Sequence, residues 1–455
     1  MAFRRIPMIS AKLPVPLMLL LIFVFISCAA RSGREGNAPP SQSTAGASAG
    51  NARVTLGGEF FSSPDFFPIL PWDPLHGFKK PFIENRTWGL ASIRECNFTM
   101  AGFVRPEDLP LCEKLGLAAL IIDREGFLPA KEWGKMQDSE IEGRVRRMVR
   151  ESAQSPAVLG YFITDEPGAA AFPALAKAVQ AVRKYAPGKL AYINLYPDYA
   201  TLGAKDKSQL ETASYSEYLE RFVNEVQPQL LSYDNYMVQY SQDLKDKTKS
   251  ASYYNNLLEM RRVALKYHLP FWNIVSANRV RPTTTIPSQA NLAFQTYTTL
   301  AAGGRGVSWY MYYAGGYQYS PIDKTDHKTL TWYYLREVNR QTAILGPMMN
   351  RLLSTGVYFT SPTPVESLPV LPGLLVEKIE SDVPMMVGEF HGDDGTDYAM
   401  VVNLSLERSA AFTLRTVQPR ANVQAVSAAD GSIAAMDSTA GFWLTPGQGV
   451  LIKLK

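Results

Sequence analysis

The chain has 455 residues, 46% hydrophobic and 19% charged, with a formal net charge of +4 at pH 7. That balance suits folded domains with sizeable cores and gives no electrostatic reason to bind nucleic acid. Three cysteines and four histidines, with no cluster at ligand spacing, argue against a structural zinc or His-rich metal site.

Arg4, Arg5 and Lys12 precede an apolar run from Leu17 to Ile26, followed by Ser27-Cys28-Ala29-Ala30. This is the layout of a cleaved export signal, and the run is too short to cross a bilayer. Cleavage removes three basic residues and no acid, leaving a nearly neutral chain. Phe25-Ile26-Ser27-Cys28 resembles the lipobox of bacterial lipoproteins, with Phe25 where Leu is usual. The resemblance implies a signal peptide over residues 1–27, lipid attachment at Cys28, and anchoring in the bacterial cell envelope, in the outer membrane and facing either the periplasm or the surface. An ordinary secretory signal cut a few residues later is the alternative. Residues 28–52, rich in Ser, Gly, Ala and Pro, read as a flexible tether.

Over residues 53–350, short apolar runs alternate with helix-period segments, the signature of βα units around a parallel sheet. The expected strands are Phe66–Leu70, Phe98–Phe103, Leu117–Ile122, Val158–Thr164, Leu190–Leu195, Leu230–Asp234, Phe271–Val275 and Val307–Tyr312. Expected helices include Glu142–Ala153, Phe172–Tyr185, Tyr218–Val226, Tyr253–Tyr267 and Gln289–Ala302. Eight such units predict an α/β fold of the (β/α)8 TIM-barrel type. A doubly wound sheet is the competitor, but the first strand runs into Pro71-Trp72-Asp73-Pro74 rather than a glycine-rich phosphate loop. Cys96 and Cys112 read as buried thiols rather than a disulfide. Over residues 351–455 alternation takes over, in Gly373–Ile379, Met385–Phe390, Tyr398–Leu404, Ala411–Thr416 and Gly449–Leu454, and predicts a small antiparallel β-sandwich.

Barrel chemistry sits just past the C-terminal ends of the strands. Strand four ends Thr164-Asp165-Glu166-Pro167. Two adjacent acids leaving water together raise the pKa of one, and a protonated carboxyl is what a departing glycosidic oxygen needs. The plain alternative is a helix start, where acids favour the dipole. The run resembles the strand-four Asn/Asp-Glu-Pro of the clan A glycoside hydrolases. That resemblance implies a barrel glycosidase with Glu166 as acid/base and the preceding residue, here Asp165 instead of the usual Asn, binding sugar. The clan also has a nucleophilic Glu on strand seven, whereas this chain has Trp272-Asn273-Ile274-Val275-Ser276-Ala277-Asn278 there.

Asp234, at the end of strand six, is the best substitute as nucleophile or base. A carboxyl gap of about 5 Å would imply retention, and one of about 6.5 to 9.5 Å inversion. Asp165-Glu166 also suits a substrate-assisted route in which Asp165 orients an acetamido group. Asp123, Arg124 and Glu125 end strand three and could supply another acid. Trp72, Tyr196, Tyr236 and Trp309 are candidate sugar platforms, with Tyr310, Tyr312 and Tyr313 also on strand eight. Asp73, Asn194 and Asn273 are candidates to hydrogen-bond hydroxyls. The expected function is a cofactor-free glycoside hydrolase acting on an oligo- or polysaccharide. The competing function is a carbohydrate-binding surface lipoprotein without turnover.

Overall fold

The computed structural model describes residues 63–72, 89–313, 317–419 and 422–455. Asp73, Cys28 and the expected signal and tether segments lie outside the described residues. Eight parallel strands, β1 (Ile69–Pro71), β2 (Met100–Val104), β3 (Ala118–Ile121), β4 (Val158–Asp165), β5 (Leu190–Leu195), β6 (Leu231–Asp234), β7 (Phe271–Ser276) and β8 (Val307–Tyr310), form a nearly closed barrel in the order β1-β8-β7-β6-β5-β4-β3-β2. The seam between β1 and β2 is stitched by Thr99. Its N–H donates to the Ile69 carbonyl at 3.3 Å, its hydroxyl donates to the Phe67 carbonyl at 2.7 Å, and it accepts the Ile69 N–H at 2.8 Å.

Alternation along each strand sorts the side chains. On β7, Trp272 and Ile274 join the barrel's inner cluster with Leu70, Met100 and Leu120. Phe271 and Val275 point outward into the layer beneath the helices. β1 starts three residues later than expected, because Pro68 has no N–H to give a ladder. The helix Asp138–Ser152 starts four residues earlier than its apolar pattern, under a capping box of Gln137 and Glu140. Cys96 and Cys112 are buried and free.

The C-terminal part is a sandwich of two antiparallel sheets. One has the order β10 (Val376–Ser381), β13 (Ala410–Thr416), β16 (Phe442–Leu444). The other has the order β15 (Ile433–Ala435), β14 (Val423–Val426), β17 (Gly449–Leu454), β12 (Asp397–Asn403), β11 (Met385–Gly392), β9 (Leu352–Phe359). Met385, Val387, Phe412, Leu414 and Ile452 fill the space between the sheets. The opposite face of the larger sheet, through Met386, Phe390 and Met400, packs into the same core as the helix Gln289–Ala301. That helix is buried from Asn291 to Ala301 because a barrel lies on one side and a sheet on the other. Gly388 permits the approach, since a Cβ there would sit 2.0 Å from the Ala301 carbonyl oxygen.

Candidate active site

β4 carries its pairing with β5 to the very end, with Asp165 opposite Asn194. The Glu166 N–H then donates to the Asn194 carbonyl at 2.9 Å. At Glu166 the backbone turns into the left-handed region, with φ of 45°, a conformation uncommon for a residue with a side chain. Pro167 follows and the strand stops.

Asn194 on β5 joins the acids of two strands. Its amide nitrogen donates to Asp165 Oδ1 at 3.0 Å and to Asp234 Oδ1 at 3.1 Å, one hydrogen for each carboxyl. The opposite end of the same amide is fixed from below. Ser232 donates its hydroxyl to Asn194 Oδ1 at 3.1 Å, and Ser232 Oγ in turn lies 2.9 Å from the Tyr192 hydroxyl. Sequence reading missed Ser232 and Tyr192. The signal was available: Tyr192 and Asn194, like Ser232 and Asp234, are two apart on a strand and so share its inner face.

Burial pushes the Glu166 carboxyl well above the usual carboxylate range, and the charges of Asp234 and then Asp165 push it further. Burial also pushes Asp234 well up, with Asp165 adding to the effect and the Asn194 hydrogen bond opposing it. Asp165 is pushed up to about 6 by burial, against hydrogen bonds from the Asn194 side chain and the Glu166 backbone. Asp234 is only 3% exposed, whereas Asp165 and Glu166 are half-buried. Among the described residues no cation contributes to any of these three shifts. Among the described residues no cluster of His, Cys, Asp or Glu is arranged to hold a metal ion.

Of the aromatic candidates, Tyr196 and Tyr236 are half-buried beside the acids. Burial and then the Glu166 charge push the Tyr196 phenol up, and burial and then Asp234 do the same to Tyr236. Tyr236 packs 5.2 Å from Tyr310, whose hydroxyl lies 2.7 Å from that of Tyr317. Tyr199, absent from the sequence candidates, accepts the Tyr236 N–H at 3.2 Å.

Other residues expected at the site are engaged elsewhere. Trp309 is fully buried on the outer face of β8, where its indole N–H donates to Asn339 Oδ1 at 2.9 Å, so it offers no platform. Asn273 is also turned outward, donating to Thr299 Oγ1 at 2.9 Å, because β7 places Trp272 and Ile274 inside. Trp72 does point inward, but its ring is covered edge-on by Phe103 at 4.9 Å and by Phe162 at 5.9 Å, in the upper core. The acids after β3 are tied up in ion pairs. Arg144 meets Asp123 at 3.1 Å and Glu125 at 3.0 Å, Arg147 meets the same two at 3.3 and 2.9 Å, and Arg124 pairs with Glu151 at 2.8 Å. Tyr312 likewise turns outward, bonded to Ser92 and Trp332 at 2.7 and 3.0 Å. At the mouth end of β7 the inward position is Ser276, whose hydroxyl is engaged by Gln239 and lies 3.4 Å from the Asn278 carbonyl.

No family model matches the sequence, and no curated protein matches it. Solved structures do match the fold. A family 5 glycoside hydrolase from Bacteroides vulgatus aligns with a TM-score of 0.54 at 11% identity, over 86% of this chain and 89% of that one. A family 42 β-galactosidase from G. stearothermophilus aligns at 0.56 and 8% identity, over 86% and 98%. Another glycoside hydrolase aligns at 0.53 and 10% identity, over 86% and 92%. At such identities the likeness is one of fold, and the fold of this chain is that of (β/α)8-barrel glycoside hydrolases.

Proposed function

We propose that the protein is a glycoside hydrolase in which Glu166 gives its proton to the departing glycosidic oxygen. The observation that carries this reading is a carboxyl at the barrel's C-terminal rim whose pKa is raised by burial and by two neighbouring acids, with no cation among the described residues contributing to the shift. The Asp165–Asp234 pair, joined by Asn194, shares the compensating negative charge. Positive charge developing on the sugar ring favours ionisation of the nearer acid, and Asp234, two strands from Glu166, then acts as nucleophile or base. Tyr196 and Tyr236 supply ring faces and hydroxyls for a sugar beside these acids. No cofactor enters the scheme.

A second reading keeps Glu166 as donor and uses a substrate acetamido group as the nucleophile, oriented by Asp165. Two observations favour it: Ser276 occupies the inward end of β7, and Asp165 is more open to a ligand than Asp234. Chromogenic 2-hydroxy and 2-acetamido glycosides, assayed with wild type, Glu166→Gln, Asp165→Asn and Asp234→Asn, test both. The first reading expects Asp234→Asn to abolish turnover on 2-hydroxy substrates. The second expects activity confined to 2-acetamido substrates and lost in Asp165→Asn. Binding of glycans with no turnover by wild type would leave a carbohydrate-binding protein. Export and lipidation at Cys28 belong to the same proposal, and a Cys28→Ser chain that still takes up labelled fatty acid would contradict them.

A further inference from the structure

Phe127 follows β3 and stands at the same rim as the acids. Its ring stacks on Phe162 at 5.8 Å, with planes 21° apart. Phe162 belongs to the barrel interior, since it also stacks on Phe103 at 4.0 Å and meets Trp72 and Tyr192. A ring lying on Phe162 from the loop after β3 therefore covers the interior from the mouth side. Phe127 is nevertheless 41% exposed, so one partner occupies it and much of the ring remains open.

The loop that carries it is held firmly. The Gly126 N–H donates to the Asp123 carbonyl at 2.8 Å, the Glu125 N–H donates to Asp123 Oδ1 at 2.8 Å, and Arg144 donates to the Gly126 carbonyl at 3.1 Å. The ion pairs that remove Asp123 from catalysis thus fix the turn just before Phe127. A pre-positioned aromatic ring binds without the cost of ordering it.

Among the described residues the mouth is chemically lopsided. Towards β5, β6 and β8 the rings are those of Tyr196, Tyr236, Tyr310 and Tyr317, all with hydroxyls. Towards β3 and β4 they are Phe127 and Phe162, with none. A proton donor lies next to the leaving oxygen, so the leaving group sits on the Glu166 side, away from Asp234. In the strand order β3-β4-β5-β6, that is the side of Phe127. Resting on the glycosidase reading, we propose that Phe127 is a stacking platform for the leaving group, selecting one with a flat apolar face: an aryl group or the C–H face of a second sugar.

The test uses full-length Glu166→Gln with Phe127 intact, Phe127→Ala or Phe127→Trp. Each is titrated with methyl and 4-methylumbelliferyl thioglycosides of glucose, galactose, mannose, xylose and N-acetylglucosamine, whose C–S bond resists hydrolysis and so removes turnover from the measurement. Phe127→Ala is expected to weaken binding of the umbelliferyl glycoside about tenfold while changing the methyl glycoside by less than about twofold, and Phe127→Trp to restore it. Equal weakening of both glycosides, or of neither, overturns the platform. Wild-type turnover of the matching O-glycosides is scored separately, so selective loss of umbelliferyl binding with no wild-type hydrolysis would sink the glycosidase reading and leave the platform standing.

Discussion

The amide nitrogen of Asn194 lies 3.1 Å from a carboxylate oxygen of Asp234, and this bond joins β5 to β6. A cation in that place would lower the pKa values of the surrounding acids, whereas a neutral amide holds the carboxyls in position without neutralising them. The bridge therefore preserves the charges that push the Glu166 pKa upward.

Ser232→Ala removes the hydroxyl that fixes the Asn194 amide from below. The expected cost is about 1 kcal/mol of stability and roughly tenfold in kcat/KM. Asn194 donation lowers the Asp165 and Asp234 pKa values, so loosening it raises them, and the acidic limb of the pH–rate profile should move to higher pH. A purely structural role for Ser232 would lower stability and leave the limb in place.

Acids held above their ordinary pKa cost stability as they ionise. Between the unfolded and folded values the folded chain binds more protons, so stability is fully present below the unfolded pKa and falls as pH rises through the folded one. For Asp165 that window runs from 3.8 to about 6. For Glu166 it opens at 4.5 and extends well above. Glu166→Gln should therefore raise the melting temperature at pH 8 by about 2 °C or more and change it little at pH 4, by calorimetry. A lower melting temperature at pH 8 would contradict the assigned shift.

Asp123 belongs to a different category from Glu166 despite a similar place in the sequence. Its carboxylate is nearly inaccessible and paired with Arg144, itself buried. Asp123→Asn leaves that guanidinium with only the exposed Glu125 as counter-charge and should cost about 2 kcal/mol in urea unfolding. Turnover of methyl glycosides by the folded fraction should survive, because Asp123 touches none of the three clustered acids. Abolished turnover in a stably folded Asp123→Asn protein would move the chemistry to β3.

The order of strands was legible because barrel strands are buried on both faces and read as apolar runs bounded by turns. Glu166 and Asp234 were legible for the same reason, as acids where an apolar run ends. What escaped was orientation. Trp309 and Asn273 lie on strands whose inner and outer faces are both buried, so hydrophobicity does not say which way each points, and only the pairing register places them outside. The ion pairing of Asp123 escaped because its partners Arg144 and Arg147 lie 21 and 24 residues further along the chain, on the helix Asp138–Ser152. β9 escaped because Ser354, Thr355 and Gly356 interrupt its apolar run, and its exposed Leu353 and buried Ser354 invert the expected alternation.

Leaving-group dependence tests the role of Glu166 most directly. Wild type and Glu166→Gln are compared on two glycosides of one sugar, a 2,4-dinitrophenyl glycoside that departs without a proton and a methylated or sugar-linked one that needs it. A proton donor at Glu166 predicts a loss of roughly 10²–10⁴-fold on the poor leaving group and a far smaller loss in the bond-breaking step on the activated one. Equal losses on both substrates, or none on either, would contradict it.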